Sequence, residues 1–493
     1  MLLLAVVMLS GCAANMPLLT VPMAAPARWF APLPAVMPPV APIAANSLPH
    51  NGSLTSLSQW WQQQNDALLV ELMDAAQSVS PSVMTARSNI QQAQSARDVS
   101  AAALLPTLDA AGSASRSKPP PVNRTTAPAL VNSAQVGLLT SWEIDLFGQN
   151  EASLNADKER FLGAEAKWHE ARVVVAAEVA TYYYNLRACE NQVLVTSADA
   201  RSRLQISRLT TQLATAGFAA PATAGLARAS AAEGNSRITQ QRAECEVIVK
   251  ALSAITAMAE SDLRQKLAQA PPLPVQQGIA DISSVPADVL GQRPDVYSAA
   301  RELAAASYDV GSARVQRYPR LMLNGSIAAN KARARGFTQS YNTWSIGPIA
   351  LTVPLFDGGA ADANIDAARA RHEEAAGKYR ASVRQAVREV EEALVNLQST
   401  TDRQGDTDLA AEGYGASFKG TEARYQAGLA SLVELEESRR VLLAAQSGLV
   451  SLARERRSAW IALYRALGGG WSTAAAAAPP MAFSSPQAFL PDR

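Results

Sequence analysis

The sequence predicts a mixed α+β membrane protein that consists of two internal repeats, each with a few β-strands and very long helices. Three observations predict this architecture: an internal duplication, the proline-free stretches 150–216 and 360–427, and short segments in which apolar and polar residues alternate. Because the few strands of one chain cannot close into a barrel, we expect several chains to share one barrel.

Composition and charge narrow the classes of protein that fit. Hydrophobic residues make up 48% of the 493 residues but aromatic residues only 6%, which favours long close-packed helices over a bulky globular core. Lys and Arg (44) balance Asp and Glu (43), so no strong attraction to nucleic acid is expected. The chain lacks any run of about 18 apolar residues, which excludes an ordinary transmembrane helix. A membrane protein of this kind spans as a closed β-barrel or is only anchored.

The N-terminus carries a secretion signal. Residues 2–8 form an apolar run too short to span a membrane, and Leu9-Ser10-Gly11-Cys12 resembles the bacterial lipobox, whose cysteine becomes lipidated. We predict a signal peptide over residues 1–11, lipidation at Cys12 and, because Ala13 follows, sorting to the outer membrane. The basic residues that normally open a signal peptide are missing, so we expect this one to be incomplete, with the natural start upstream, unless the chain was trimmed. A chance cysteine is the alternative.

The body of the chain is a duplication between two polar or proline-rich ends. Residues 12–53, rich in Pro and Ala, predict a lipidated tether, and residues 471–493 a disordered tail. Repeat 1 covers residues 54–270 and repeat 2 covers residues 271–470. The matching residues keep an offset of 209 to 213: Pro81 and Pro294, Val83 and Val296, Pro106 and Pro319, Leu108 and Leu321, Leu146 and Leu355, Asn185 and Asn396, Gly217 and Gly428, Leu252 and Leu463.

Each repeat opens with a helix and then two strands. The prolines at 81 and 294 mark the helix starts, and those at 106 and 319 end them. Residues 135–145 alternate apolar and polar with a period of two, as a strand with one apolar face does. Their counterpart is 346–355, and weaker partner strands are predicted over 107–116 and 320–330. Loops are expected after Lys118 and over residues 331–336.

The long helices follow the strands. At 1.5 Å per residue, each proline-free stretch would be about 100 Å long. Apolar residues step by three and four, as in coiled coils: Val383, Val387, Val390, Leu394 and Leu397, then Leu442, Ala445, Leu449, Leu452, Arg456, Ala459 and Leu463. Gly217 and Gly428 are predicted to be the hairpin tips, where the chain turns back.

Motifs in these positions carry a family resemblance. They are Leu290-Gly291-Gln292-Arg293-Pro294-Asp295-Val296, Gly311-Ser312-Ala313-Arg314, Tyr318-Pro319-Arg320-Leu321, Val353-Pro354-Leu355-Phe356-Asp357-Gly358-Gly359 and Tyr425-Gln426-Ala427-Gly428-Leu429-Ala430-Ser431. With them the chain resembles the TolC-type outer-membrane factors, specifically the lipoprotein branch that includes OprM and NodT, over about residues 54–470.

The resemblance implies an assembly and a function. It implies a homotrimer in which four strands per chain make one twelve-stranded β-barrel that continues into a long periplasmic α-helical barrel. Such a channel passively exports drugs or other small molecules in a tripartite efflux system, RND-type or similar, with a periplasmic adaptor (membrane fusion protein) and an inner-membrane pump as partners. The alternatives are a type I secretion channel and a periplasmic coiled-coil adaptor.

The resemblance also implies a periplasmic gate. Counted from Gly428, the gate tyrosine falls on Tyr425 and the acidic residues of the constriction fall on Glu434 and Glu437. Three copies would place six carboxylates around a narrow pore, which favours cations and raises some of their pKa values. The alternative is a pair of solvated helix acids. Glu436 departs from the family, which is usually apolar there.

The remaining cysteines suggest a disulfide. Cys189 lies 28 residues before Gly217 and Cys245 lies 28 residues after it, so the two are level in an antiparallel hairpin. The periplasm permits disulfides. Two buried free thiols are the alternative, because spacing does not show whether the side chains face each other.

Catalytic chemistry finds no support in the sequence. His50, His169 and His372 are scattered, and no phosphate-binding glycine motif is present, so no enzyme, metal or cofactor is expected. The paired carboxylates Glu373-Glu374 and Glu391-Glu392 are interpreted as solvated helix faces.

Overall fold

The computed structural model describes residues 30–31, 61, 66–118, 120, 130–270 and 293–470. Its elements are α1 (Ala67–Val79), α2 (Pro81–Ala102), β1 (Thr107–Ser117), β2 (Val131–Ile144), α3 (Gln149–Thr215), α4 (Pro221–Thr256), α5 (Glu260–Gln269), α6 (Pro294–Val315), β3 (Arg320–Ala334), β4 (Phe337–Thr352), α7 (Ala360–Gln426) and α8 (Leu432–Ala466). The described residues form two compact units. The sheet unit holds Ser88–Glu165 and Ser298–Arg380, and the helical unit holds the rest, so each unit draws on both repeats.

The sheet unit contains one antiparallel sheet with the strand order β1-β2-β3-β4. Its central pair joins the two repeats, because β2 pairs with β3 from Val131 opposite Ala334 to Ile144 opposite Leu321. β1 and β4 are the outer strands, and among the described strands each has a partner on one side only. The sheet is therefore open at both edges.

The hairpin between β3 and β4 is tighter than the sequence predicts. The prediction of a loop over residues 331–336 is wrong for most of that segment, because β3 continues to Ala334 and β4 begins already at Phe337. Arg335 and Gly336 alone make the turn, with φ of 49° and 83°. Two successive residues with positive φ form the turn whose twist matches the flanking strands. The strands can therefore pair right up to the turn despite the basic side chains.

Many large apolar side chains of the sheet are exposed in the single chain. They include Leu108, Val136, Leu138, Ile327, Trp344, Ile346, Ile349 and Leu351. Large groups of exposed apolar side chains are rare on soluble monomers and mark contact surfaces. The sheet therefore requires another apolar surface against it.

The long helices α3 and α7 are each 67 residues, about 100 Å of continuous helix, as predicted. An aspartate precedes each helix and accepts hydrogen bonds from backbone N–H groups at the helix start. Asp145 accepts from Gln149 and Glu151, and Asp357 accepts from Gly359 and Ala361. A carboxylate at this end satisfies free N–H groups and the helix dipole. No helix in the described ranges is both long and apolar enough to cross a membrane.

The core of the helical unit contains side chains from both repeats. Its fully buried members include Tyr183, Leu186, Leu252, Leu394 and Leu463. The seam predicted in α7 is largely confirmed, since all its members except the half-buried Val387 are buried.

The seam predicted in α8 is only partly right. Leu452, Ala459 and Leu463 are buried, but the other predicted positions are half-buried. The buried face is wider than one seam, because Trp460 and Tyr464 pack edge-on against Trp61, with ring centroids 5.4 and 4.8 Å from it. Such aromatic pairs add contact that a heptad pattern does not register.

Gly137 is predicted to be essential for the central strand pair. A Cβ at this position of β2 would lie 2.6 Å from the Ile327 carbonyl oxygen and 2.7 Å from Ala328 Cβ. Gly137→Ala is therefore expected to lower the free energy of unfolding by about 1–3 kcal/mol in urea titrations. Gly112→Ala on β1 is the control, because a Cβ there meets atoms only at 3.9 Å. Equal effects of the two variants would contradict the packing described.

Candidate functional site

The predicted site residues lie at the ends of two helical hairpins, hairpin 1 (α3 and α4) and hairpin 2 (α7 and α8). Gly217 and Gly428 occupy the turns with φ of 80° and 74°, a left-handed conformation that glycine adopts without strain. In both turns a 6→1 hydrogen bond closes the helix. Phe218 N–H donates to the Leu213 carbonyl at 2.8 Å, and its counterpart in hairpin 2 measures 2.7 Å. The two tips therefore share one capping geometry.

The start of α8 fixes Glu434 at the tip of hairpin 2. Ser431 is the N-cap, and its hydroxyl accepts a hydrogen bond from Glu434 N–H at 3.1 Å. The Glu434 carboxylate accepts from Arg424 Nη1 at 2.8 Å, and Arg424 also donates to the Leu429 carbonyl. Glu434 of α8 thus pairs with a basic residue of α7, across the tip of the same hairpin.

Tyr425 links the two hairpins near their tips. Its hydroxyl lies 2.9 Å from the Thr210 hydroxyl. Thr210 is seven residues before Gly217, whereas Tyr425 is three residues before Gly428. Four more residues of helix, at 1.5 Å each, make the tip of hairpin 1 extend about 6 Å beyond that of hairpin 2.

Glu437 lies one turn after Glu434 on the exposed surface of α8. It is paired with Arg440 at 2.6 Å, and this hydrogen bond holds the pKa of the Glu437 carboxyl below its usual range. Both predicted gate carboxylates therefore have an arginine partner inside one chain. A ring of six acids would raise the pKa of its carboxyl groups, and the arginine partners oppose that rise.

Apolar side chains are exposed at both tips. Phe218 is 83% exposed, Leu429 71% and Val433 65%. These side chains give both tips an apolar surface that is exposed to solvent in the single chain. Clustered exposed apolar residues mark sites of protein association.

Cys189 and Cys245 face each other across hairpin 1. Their Cα atoms are 5.6 Å apart and the two sulfur atoms are joined at 2.07 Å. A Cα separation near this value is what a disulfide bridges without moving the backbone. The pair connects α3 to α4 at 28 residues on either side of Gly217.

A largely buried group of charged residues lies behind the tips and was not predicted from the sequence. Asp199 and Arg203 of α3 and Glu436 and Arg439 of α8 form ion pairs there. The signal in the sequence was Glu436, a charged residue where the resembling family is usually apolar.

Glu391 is also different from its prediction as part of a solvated face. Its carboxylate accepts hydrogen bonds from the backbone N–H groups of Phe30 and Ala31, both at 2.6 Å. Glu392, the next residue, does lie on the exposed surface, where it pairs with Arg388. Glu391 therefore attaches the N-terminal segment to α7. Cys12 and the other residues of the predicted tether, 12–29 and 32–53, lie outside the described residues, as do the predicted signal peptide (1–11) and tail (471–493).

Comparison with known proteins decides the family. Residues 72–257 and 285–469 match the family described as Outer membrane efflux protein, one stretch for each repeat. The chain belongs to this family.

Relatives in the outer membrane efflux protein family match over most of their length. The solvent efflux pump outer membrane protein SrpC of Pseudomonas putida is 28% identical over 83% of this chain and 86% of its own. Nodulation protein T of Rhizobium leguminosarum bv. viciae is 26% identical over 86% of both chains. The outer-membrane channel OprN, a solved structure, aligns with a TM-score of 0.77 and 25% identity over 88% of this chain and 99% of its own. These matches confirm the predicted family and its two-repeat fold.

We predict that the purified protein contains the Cys189–Cys245 disulfide. Mass spectrometry after alkylation without reduction should find neither cysteine alkylated, and alkylation of both should follow reduction. Because the bond closes a loop of 56 residues, replacing both cysteines by serine is expected to lower the free energy of unfolding by up to about 4 kcal/mol. Two alkylated thiols in the unreduced sample would contradict the prediction.

Proposed function

We propose that this chain is the outer-membrane channel of a tripartite efflux system and that it conducts small molecules passively from the periplasm to the exterior. Membership of the outer membrane efflux protein family supports this class of protein, an outer-membrane component of an efflux system. The observation that carries the proposal is the combination, in one chain, of an open four-stranded sheet with two helices of about 100 Å, each of which is the first helix of a hairpin. The same combination favours a channel over a periplasmic adaptor, the main alternative.

The channel is formed by three copies. Unpaired backbone groups of β1 and β4 cannot remain open in lipid, so β1 of one copy pairs with β4 of the next. Three sheets then close a barrel of twelve strands. The exposed apolar side chains of the sheet, such as Trp344 and Ile346, supply its lipid-facing surface. Twelve strands fall within the range of known outer-membrane barrels.

The partners are a periplasmic adaptor and an inner-membrane pump. Energy for transport comes from the pump, because the sequence of this chain supplies no catalytic constellation. The adaptor docks on the hairpin tips, whose exposed Phe218, Leu429 and Val433 provide an apolar contact surface. The relatives' names, which include solvent efflux and nodulation, support small organic molecules as cargo. Selection among them is made by the pump.

A lipid at Cys12 anchors the N-terminus, and Glu391 holds the tether. Eighteen residues separate Cys12 from Phe30, which allows a reach of at most about 60 Å. From Ala360 to Glu391, α7 spans 31 residues, about 46 Å of helix. The tether is therefore long enough to run back along α7 from Glu391 to where that helix begins.

The gate assignment is tested by replacing both Glu434 and Glu437 with alanine. In planar bilayers the double variant is expected to lose cation preference and to conduct more, because the acidic groups of the constriction are removed. Glu455→Ala is the control, since that exposed residue lies 18 residues beyond Glu437 on the same helix. Conductance and selectivity equal to those of the unmodified channel would refute the assignment.

The tether contact is tested by Glu391→Gln. Hydrogen bonds to a charged acceptor are stronger than neutral ones, so amide exchange at Phe30 and Ala31 should accelerate by about tenfold or more. Glu392→Gln is a matched control, because its carboxylate pairs with Arg388 instead. Equal amide exchange rates at Phe30 and Ala31 in the two variants would show that Glu391 does not hold the tether.

A further inference from the structure

A buried group of charged side chains joins the two hairpins of one chain, and we propose that it locks the tip of hairpin 2 against hairpin 1. The group, called here the inter-hairpin lock, consists of Asp199, Arg203, Glu436 and Arg439. The inference rests on the proposed function, because it assigns the closed state of the proposed channel to this lock.

Glu436 is the centre of the lock. Its Oε2 accepts hydrogen bonds from Arg203 Nη1 of α3 at 3.0 Å and from the Ser230 hydroxyl of α4 at 2.8 Å. Its Oε1 accepts from Arg439 Nη1 at 2.8 Å. One carboxylate on hairpin 2 thus binds both helices of hairpin 1.

The two arginines extend the lock to its remaining members. Arg203 Nε donates to Asp199 at 2.9 Å, one turn away on α3. Arg439 Nη2 donates to the Ser202 hydroxyl at 3.0 Å, and its guanidinium lies 5.4 Å from the ring centroid of Phe418 on α7. All four helices of the two hairpins therefore meet at these charges.

Burial makes these ion pairs different from the others near the tips. The side chains of Arg203 and Arg439 are 7% and 3% exposed and that of Glu436 is 18% exposed, whereas Glu437 and Arg440 are 58% and 73% exposed. Exposed pairs contribute little, but removing one partner of a buried pair leaves an uncompensated charge at high cost. The four charges of the lock sum to zero. Neutralising Glu436 removes the carboxylate that Arg203 and Arg439 share, and leaves Arg203 with Asp199 and, at 4.0 Å, with the exposed Glu233.

The packing around Arg203 gives an independent observation. Gly234 of α4 lies beside the Arg203 stem, and a Cβ at this position would be 2.9 Å from Arg203 Cδ. Space for the arginine thus depends on the absence of a side chain at residue 234. Gly225, on the same helix, has no atom within 4 Å of such a Cβ. The two glycines form a matched pair for a steric test.

The lock is placed to control the tip of hairpin 2. Glu434 pairs with Arg424 and Glu437 pairs with Arg440, so both of these contacts stay within hairpin 2. Glu436 instead reaches across to hairpin 1, eight residues after Gly428. It is a positioning residue: it sets where the gate residues stand and does not line the conduit itself. Separation of the tips requires this carboxylate to leave Arg203.

Pulsed electron paramagnetic resonance on full-length, spin-diluted trimers tests the lock directly. Nitroxides on Ala216→Cys and Ala427→Cys report the distance between the tips of one chain, since both positions are exposed. Glu436→Gln is expected to broaden and lengthen the distance distribution. Gly234→Ala should do the same without removing a charge. Glu455→Gln, which breaks an exposed pair within hairpin 2, and Gly225→Ala should leave the distribution unchanged.

Planar-bilayer conductance of the same variants supplies the functional readout. Because loss of a buried ionic partner is strongly destabilising, Glu436→Gln is expected to raise the open fraction by about tenfold or more. Retention of heat-resistant trimers shows that each variant is folded. An unchanged tip distance in both Glu436→Gln and Gly234→Ala overturns the lock. If the variants change the tip distance but the unmodified protein forms no channels in bilayers, the lock stands and the proposed function is overturned.

Discussion

The constraint on which the rest of the structure depends is the pairing of the backbone at the edges of the sheet. Four antiparallel strands leave β1 and β4 with a partner on one side only among the described strands, and lipid offers no hydrogen bonds to replace the missing one. In the proposed channel, a second copy of the same chain supplies the missing partner. The duplication fits this constraint, since each repeat contributes one strand pair and β2 and β3 join the repeats at the centre.

A second constraint acts at the opposite ends of the long helices. Two hairpins must stay together there, far along the chain from the strands. The chain combines a few apolar contacts, around Leu432 and Leu435, with the buried charges of Arg203 and Glu436. Neutralising one member of such a group leaves its partner as an uncompensated charge, and this weakens the contact between the two hairpins.

Sequence reasoning located the features that follow local rules. Proline marked the helix starts at Pro81 and Pro294, and the proline-free stretches predicted α3 and α7 to within a residue of their ends. It failed where distant segments meet. The two-residue turn at Arg335 depends on strand pairing, the Glu391 contact joins residues 361 positions apart, and Arg203 meets Glu436 across 233 residues. No local pattern records such partners.

Native mass spectrometry of the protein extracted from membranes in mild detergent tests the central claim most directly. A single species with three times the mass of the mature chain is expected, because only a closed ring of copies pairs β1 and β4. A stable monomer or dimer that conducts in bilayers would contradict it, since the strands of such a particle would retain open edges in lipid.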